Sequence, residues 1–216
     1  MEHLVNTILV LLVLMSFLLL SSSRLATCIR AVAIQGALLG ILAIAMQDGQ
    51  LSVAGVLLPL VAAVVKGLLL PWLLFRAMRE TETRREVEPL ISYNFSIMAG
   101  AIAFAVALWL GERLKLPTHP PSSLLVPVAF FSSLAGLLVI VSRRKALTQV
   151  LGYLALENGV YAFGAAVALQ LPIVVELGIL LDVFVGVFVM GIAIFHISRE
   201  FDHIDTDKLV TLTDRL

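Results

Sequence analysis

Three ionisable residues stand inside long apolar runs. Lys66 lies within Val64-Val65-Lys66-Gly67-Leu68-Leu69, Glu157 within Leu154-Ala155-Leu156-Glu157-Asn158, and Asp182 within Leu180-Leu181-Asp182-Val183-Phe184. A charge in such a run is costly in hydrocarbon and marks a functional position by default. Two acids and one amine admit two chemistries. In one, Lys66 forms a buried ion pair with Glu157 or Asp182 and fixes helix packing, adding little net stability because desolvation offsets the attraction. In the other, the three are steps of a lateral proton path. A low-dielectric surrounding disfavours the charged form of each group, so an arriving proton or a neighbouring charge can tip it. One amine cannot fully pair two separated acids, which favours the relay.

Polar residues of the same spans can support such a path. Gln149, Asn158 and Tyr161 are able to hydrogen-bond a carboxylate or order water beside it, and Gly152, Gly159, Gly164, Ala165 and Ala166 permit close helix approach. Gly36 and Gly40 form a small-xxx-small packing face, and Gln35 and Asn94 are expected to bond between helices. His196 either anchors at the interface or extends the relay. Glu176 lies within a turn of Pro172 and reaches surface water by snorkelling. The tail 198–216 is either a frayed end or a segment docking on a partner. Its His203, Asp202, Asp205 and Asp207 lack the rigid scaffold a metal site needs, so no metal is expected. Leu25-Ala26-Thr27-Cys28 loosely imitates a lipoprotein cleavage site. However, Glu2 and His3 stand where a signal peptide carries Lys or Arg, so Cys28 reads as a small residue at a helix end.

The elements that must carry these residues follow from composition. The chain has 216 residues, is 60% hydrophobic and 14% charged, has zero formal net charge and contains one cysteine. An average soluble domain is about 25% charged, so a soluble globular enzyme is excluded and the solvent has to be lipid. The balanced charge offers no basic surface for nucleic acid. One cysteine makes no internal disulfide and no iron-sulfur or Cys-based zinc site, and no phosphate-binding Gly-rich loop is present. No cofactor is expected.

A span needs roughly 20 apolar residues, and seven such stretches are found: Leu4–Leu20, Ala31–Met46, Val53–Phe75, Tyr93–Leu110, Ser123–Val141, Leu147–Leu169 and Ile173–Ile197. The third is interrupted by Lys66 and Pro71. At about 1.5 Å per residue, Lys66, Glu157 and Asp182 all fall near mid-membrane. The odd-numbered connections and the tail hold the Arg and Lys residues, among them Arg76, Arg79, Arg84, Arg85, Arg143, Arg144 and Lys145, whereas the even-numbered ones hold Arg113 and Lys115. By the positive-inside rule this places the N-terminus outside and the C-terminus in the cytoplasm. The expected fold is an all-α, polytopic membrane helix bundle of about seven transmembrane helices in a cell inner membrane. It divides into a four-helix part (1–121), a three-helix part (122–197) and a cytoplasmic tail (198–216).

Over roughly the last 90 residues, Leu154-Ala155-Leu156-Glu157-Asn158-Gly159-Val160-Tyr161-Ala162-Phe163, then Leu181-Asp182-Val183-Phe184-Val185-Gly186 and an acidic tail, the chain resembles the K subunit of NADH-quinone oxidoreductase (complex I). Over the full length, with four more spans and the stretch from Val65-Lys66-Gly67 to Pro71-Trp72, it resembles the hydrogenase-4 component E family, from the membrane arm of complex-I-related [NiFe]-hydrogenases and formate hydrogenlyases. The resemblance implies a non-catalytic subunit with no redox centre of its own. It would sit between large antiporter-like membrane subunits and the membrane anchor of a peripheral redox arm, with Glu157 and Asp182 continuing a polar axis. The second acid of the K subunit is usually Glu, so Asp182 is one methylene shorter and calls for an intervening water. A purely structural spacer in such an arm, or in a cation/proton antiporter complex, is the alternative. The lack of an internal repeat speaks against a self-contained transporter.

Overall fold

The computed structural model describes residues 2–46, 53–80, 89–114, 122–167, 184–189 and 191. Among these no strand occurs. The order is α1 (Glu2–Ser21), α2 (Leu25–Ala45), α3 (Val53–Val64), a π-helical turn (Val65–Leu69), α4 (Leu70–Glu80), α5 (Tyr93–Arg113), α6 (Leu125–Ser142) and α7 (Ala146–Val167). Residues 184–189 are also helical. Long apolar runs become helices here because lipid offers no partner for backbone N–H and C=O groups, and a helix satisfies them internally.

Among the described residues, five stretches are long and apolar enough to cross a membrane: Glu2–Ser21, Leu25–Ala45, Val56–Arg79, Tyr93–Arg113 and Leu125–Ser142. α7, at 22 residues, has the length and carries Glu157 and Asn158 in its middle. Two of the helices run longer than their apolar stretches alone: α2 begins at Leu25, six positions before Ala31, and α5 continues through Arg113. The exposed surface is apolar, with Leu4, Leu14, Ile41, Leu68, Trp72, Ile102, Trp109 and Val160 each about half exposed or more. Lipid is the solvent that tolerates such a surface. Most of the seventh expected span, including Asp182, and the whole tail lie outside the described residues.

Turn chemistry sets the breaks. The Ser22 hydroxyl accepts from Arg24 N–H at the α1–α2 corner (3.2 Å). Ser92 caps α5 by accepting from Phe95 N–H (3.4 Å), and Ser122 accepts from Leu124 N–H before α6 (3.2 Å). Pro127 falls in the first turn of α6, where its missing N–H has no intrahelical partner to lose.

α6 and α7 form the tightest pair. A Cβ on Gly152 would stand 2.8 Å from Gly136 O and 2.9 Å from Ile140 N, and one on Gly159 would overlap Ser133 N and Ala129 O, so backbone lies on backbone. α1 and α2 flank this hairpin, the α3–π–α4 rod packs on α2, and α5 covers α6 and α1. Val185 and Val189 join the core, and Gly186 sits beside Leu70 and Leu73 of α4.

The hydrophobic core is in two parts. One gathers Leu19, Leu25, Ile29, Val139, Leu147 and Leu151. The other gathers Leu9, Leu12, Leu39, Leu42, Val126 and Ala162. Along α1, α2 and α7, the buried polar residues between the two parts are Ser16, Gln35, and Glu157 with Asn158.

Arg143, read from sequence as one of a run of loop charges, is 1% exposed. Its Nη2 donates to Leu20 O (2.9 Å) and its Nη1 to Ile91 O (3.3 Å), while its guanidinium stands 4.3 Å from the Tyr93 ring centroid. A cation here meets the free carbonyls that end α1 and ties three chain segments together.

Gly152→Leu should abolish the folded chain in membranes, since overpacking costs about 1–3 kcal/mol even where side chains can yield and here the obstacle is backbone. Gly191→Ala, which meets nothing within 4 Å, is the neutral control. Monodisperse yield on fluorescence-detected size exclusion distinguishes them, and equal yields would refute the contact.

Candidate functional site: a buried ion pair on a π turn

Pro71 explains why Lys66 sits where it does. Its ring nitrogen cannot donate to Gly67 O, and the ring crowds that carbonyl. The chain widens instead: Leu70 N–H bonds to Val65 O, one residue further back than in an α-helix. Such a π turn rotates the residues on either side relative to each other and recurs at functional sites. Gly36 makes the approach possible, because a Cβ there would come 2.5 Å from Lys66 Cβ; Gly40 does the same opposite Ala63. The small-xxx-small face of α2 is therefore the bed on which the Lys66 rod lies.

From this position Lys66 reaches α7. Its Nζ donates to Glu157 Oε1 at 2.6 Å, and both side chains are 6% exposed. Nζ also lies 3.5 Å from Asn158 Oδ1 and 5.5 Å from the Tyr161 ring centroid. The ammonium is thus held by a carboxylate, an amide oxygen and a π face, which together replace much of its hydration. Glu157 Oε2 is buried and receives no hydrogen bond from a described residue.

A second polar cluster lies beside the first. Gln35 Nε2 donates to Ser16 Oγ (2.9 Å), Ser16 Oγ donates to Leu12 O (2.9 Å), and Ser132 Oγ is 3.4 Å from Ser16 Oγ. Gln35 is 1% exposed, and its Oε1 likewise receives no bond from a described residue.

Of the residues singled out from sequence, Lys66, Glu157, Asn158 and Tyr161 come together. Gln149 does not: it is exposed at the start of α7 and donates to Arg143 O (3.1 Å), eight residues and so about 12 Å along the helix from Glu157. Asn94 is exposed at the start of α5 instead of bonding between helices. Gln35 does bond between helices, to Ser16. Asp182 and His196 lie outside the described residues. Ser16 and Ser132 carried no signal of their own, because a helical serine can satisfy its hydroxyl on its own backbone.

The chain is 30% identical to hydrogenase-4 component E of Escherichia coli K12 over 151 residues, 70% of each chain, with the same figures for its Shigella flexneri counterpart. The chain belongs to the hydrogenase-4 component E family. The chain is also 33% identical over 206 residues to an uncharacterized protein of Mycobacterium tuberculosis, covering 94% of this chain and 93% of that one. No family model matches it, and no solved structure does. Membership and the apolar helices together make it a membrane protein.

Lys66→Met should destabilise the chain by about 3–5 kcal/mol, because it leaves Glu157 buried and unpaired. Removing both charges, in Lys66→Met/Glu157→Met, should recover most of the loss. Thermal unfolding of the full chain in detergent measures the cycle, and additive losses would mean the pair is not coupled.

Proposed function

We propose that the chain is an integral-membrane subunit of a hydrogenase-4- or formate-hydrogenlyase-like, complex-I-related oxidoreductase, contributing buried acids to its proton path. The observation that carries this is the Lys66–Glu157 pair, buried between the two halves of an apolar core, with one carboxylate oxygen open to a further donor. Its family supplies the context of a hydrogenase component.

In this reading a proton delivered to Oε2 converts Glu157 from carboxylate to carboxylic acid. The attraction holding the ammonium at Oε1 then lapses, and Lys66 shifts toward Asn158 Oδ1 and the Tyr161 ring. Loss of the proton restores the pair. Lys66 acts as a counter-charge that follows the protonation of Glu157. Asp182, two residues before the helical stretch that packs on α4, is the next acid of the path. His196, and Gln149 near Arg143, belong to its cytoplasmic side. The subunit spans an inner membrane seven times with its N-terminus outside, and lies between antiporter-like subunits and the membrane anchor of the redox arm. It holds no redox centre of its own.

A spacer reading draws on the same pair, since a 2.6 Å ion pair between the π turn and α7 is enough to fix helix packing. The two readings part at Glu157→Gln and Asp182→Asn in the assembled complex. The relay predicts intact assembly and hydrogen chemistry with proton translocation lowered about tenfold or more, read as fluorescence quenching in inverted vesicles. Full coupling in both variants would leave the spacer.

A further inference from the structure

The two orphaned acceptors share one level of the bundle. Gly36, next to Gln35, lies against Lys66, and Gly159, two residues after Glu157, lies against Ser133, the neighbour of Ser132. Each of these steps along a helix is at most about 3 Å. Lys66, Glu157 and Asn158 therefore stand within about one helical turn of Ser16, Gln35 and Ser132. Together they form a polar layer between the two hydrophobic clusters, which still touch each other through Val13 and Phe130.

The chemistry of the layer is one-sided. Ser16 Oγ gives its proton to Leu12 O, so the Gln35 group facing it has to be the amide NH2, and Oε1 is turned elsewhere. Glu157 Oε1 is taken by Lys66, and Oε2 is left. Each such buried acceptor costs about 1–3 kcal/mol if nothing donates to it, and two of them call for a ligand that brings donors. A metal cation would face the Lys66 ammonium, already 2.6 Å from the same carboxylate. An apolar guest would leave both oxygens unmet. Water, with two donors, matches two acceptors and is the usual occupant of a buried polar site.

We propose that internal water binds in this layer, donating to Gln35 Oε1 and Glu157 Oε2, and that Ser16, Gln35 and Ser132 form a second arm of the proton path on the α1 side of the bundle. Gln35 is a positioning residue: it orients the water and carries no proton. A hydronium formed in this arm gives one proton to Oε2, leaving neutral water and a neutral carboxylic acid. The water site stands on the geometry of the layer, whereas its part in transport rests on the reading of Glu157 given above.

The test uses the assembled complex as wild type, Gln35→Met and Glu157→Gln, with assembly checked by co-purification. Radiolytic labelling from bound water should modify wild-type peptides around Gln35 and Lys66 and, counted at residues other than position 35 because a methionine is itself readily oxidised, fall about tenfold in Gln35→Met, with proton translocation reduced and hydrogen turnover kept. Unchanged labelling in Gln35→Met overturns the water site. Full translocation in Gln35→Met beside a loss in Glu157→Gln overturns the arm while the Glu157 path stands. Full translocation in Glu157→Gln overturns the path itself, and the arm with it. Should Gln35→Met fail to assemble, density in a cryo-electron-microscopy map of the wild-type complex decides. Peaks at about 2.7–3.2 Å from both oxygens support the site, and bare oxygens in a map that shows other internal waters overturn it.

Discussion

A charge in hydrocarbon has to find its opposite within hydrogen-bond reach, and the way Lys66 meets Glu157 constrains the packing around it. The 2.6 Å contact requires the third rod to lie against α2, which needs Gly36 and Gly40. It requires α7 to present Glu157 inward, which needs the backbone contact of α6 and α7 at Gly136, Gly152 and Gly159. It also requires Lys66 to face α7 from a helix that Pro71 prevents from continuing regularly. Proline, glycine and charge therefore act as one arrangement, in which each residue type supplies what the others lack. The ion pair contributes little net stability, since desolvation offsets attraction; what it confers is one permitted register among greasy helices that would otherwise slide.

The polar layer has a counterpart in the core itself. Apolar side chains in lipid gain nothing by meeting each other instead of acyl chains, so packing and hydrogen bonds decide which helices associate. Leu and Val fill both clusters, yet among the described residues the polar contacts that discriminate are few: Gln35 on Ser16, Ser132 beside it, Lys66 on Glu157, Arg143 on the end of α1, and Ser122 donating to Asn6 near its start. All but the last two lie near one depth. The described bundle is pinned at three levels, a layer inside the membrane and a contact at either end of α1, with apolar filler between.

Much of this was legible in the sequence, for a physical reason. Lys66 and Glu157 stand out because a charge amid Leu and Val contradicts its neighbours, and the helices because apolar runs of membrane length have one solution in lipid. Pro71 announced an interruption, though not that it would widen into a π turn. Sequence alone leaves Glu157 and Asp182 both open as partners of Lys66, since residues 91 apart in the chain, as Lys66 and Glu157 are, carry no sign of their contact. Ser16, Ser132 and Arg143 were illegible as participants. A lone helical hydroxyl looks self-satisfied, and an arginine followed by Arg144 and Lys145 looks like solvent-facing loop. Gln149 and Asn94 misled in the opposite direction, because residue type without depth cannot separate a bundle interior from a helix end.

The clamp and the ion pair both join the first 121 residues to the following ones. Arg143 finds its acceptors at Leu20 and Ile91, and Glu157 finds its cation at Lys66. A gene fragment encoding the later helices alone would inherit an acid without its counter-ion and a guanidinium without its carbonyls. Such a fragment could travel between genomes only into hosts whose other chains supplied both. The boundary that looks natural in the chain is, for inheritance, a poor place to cut.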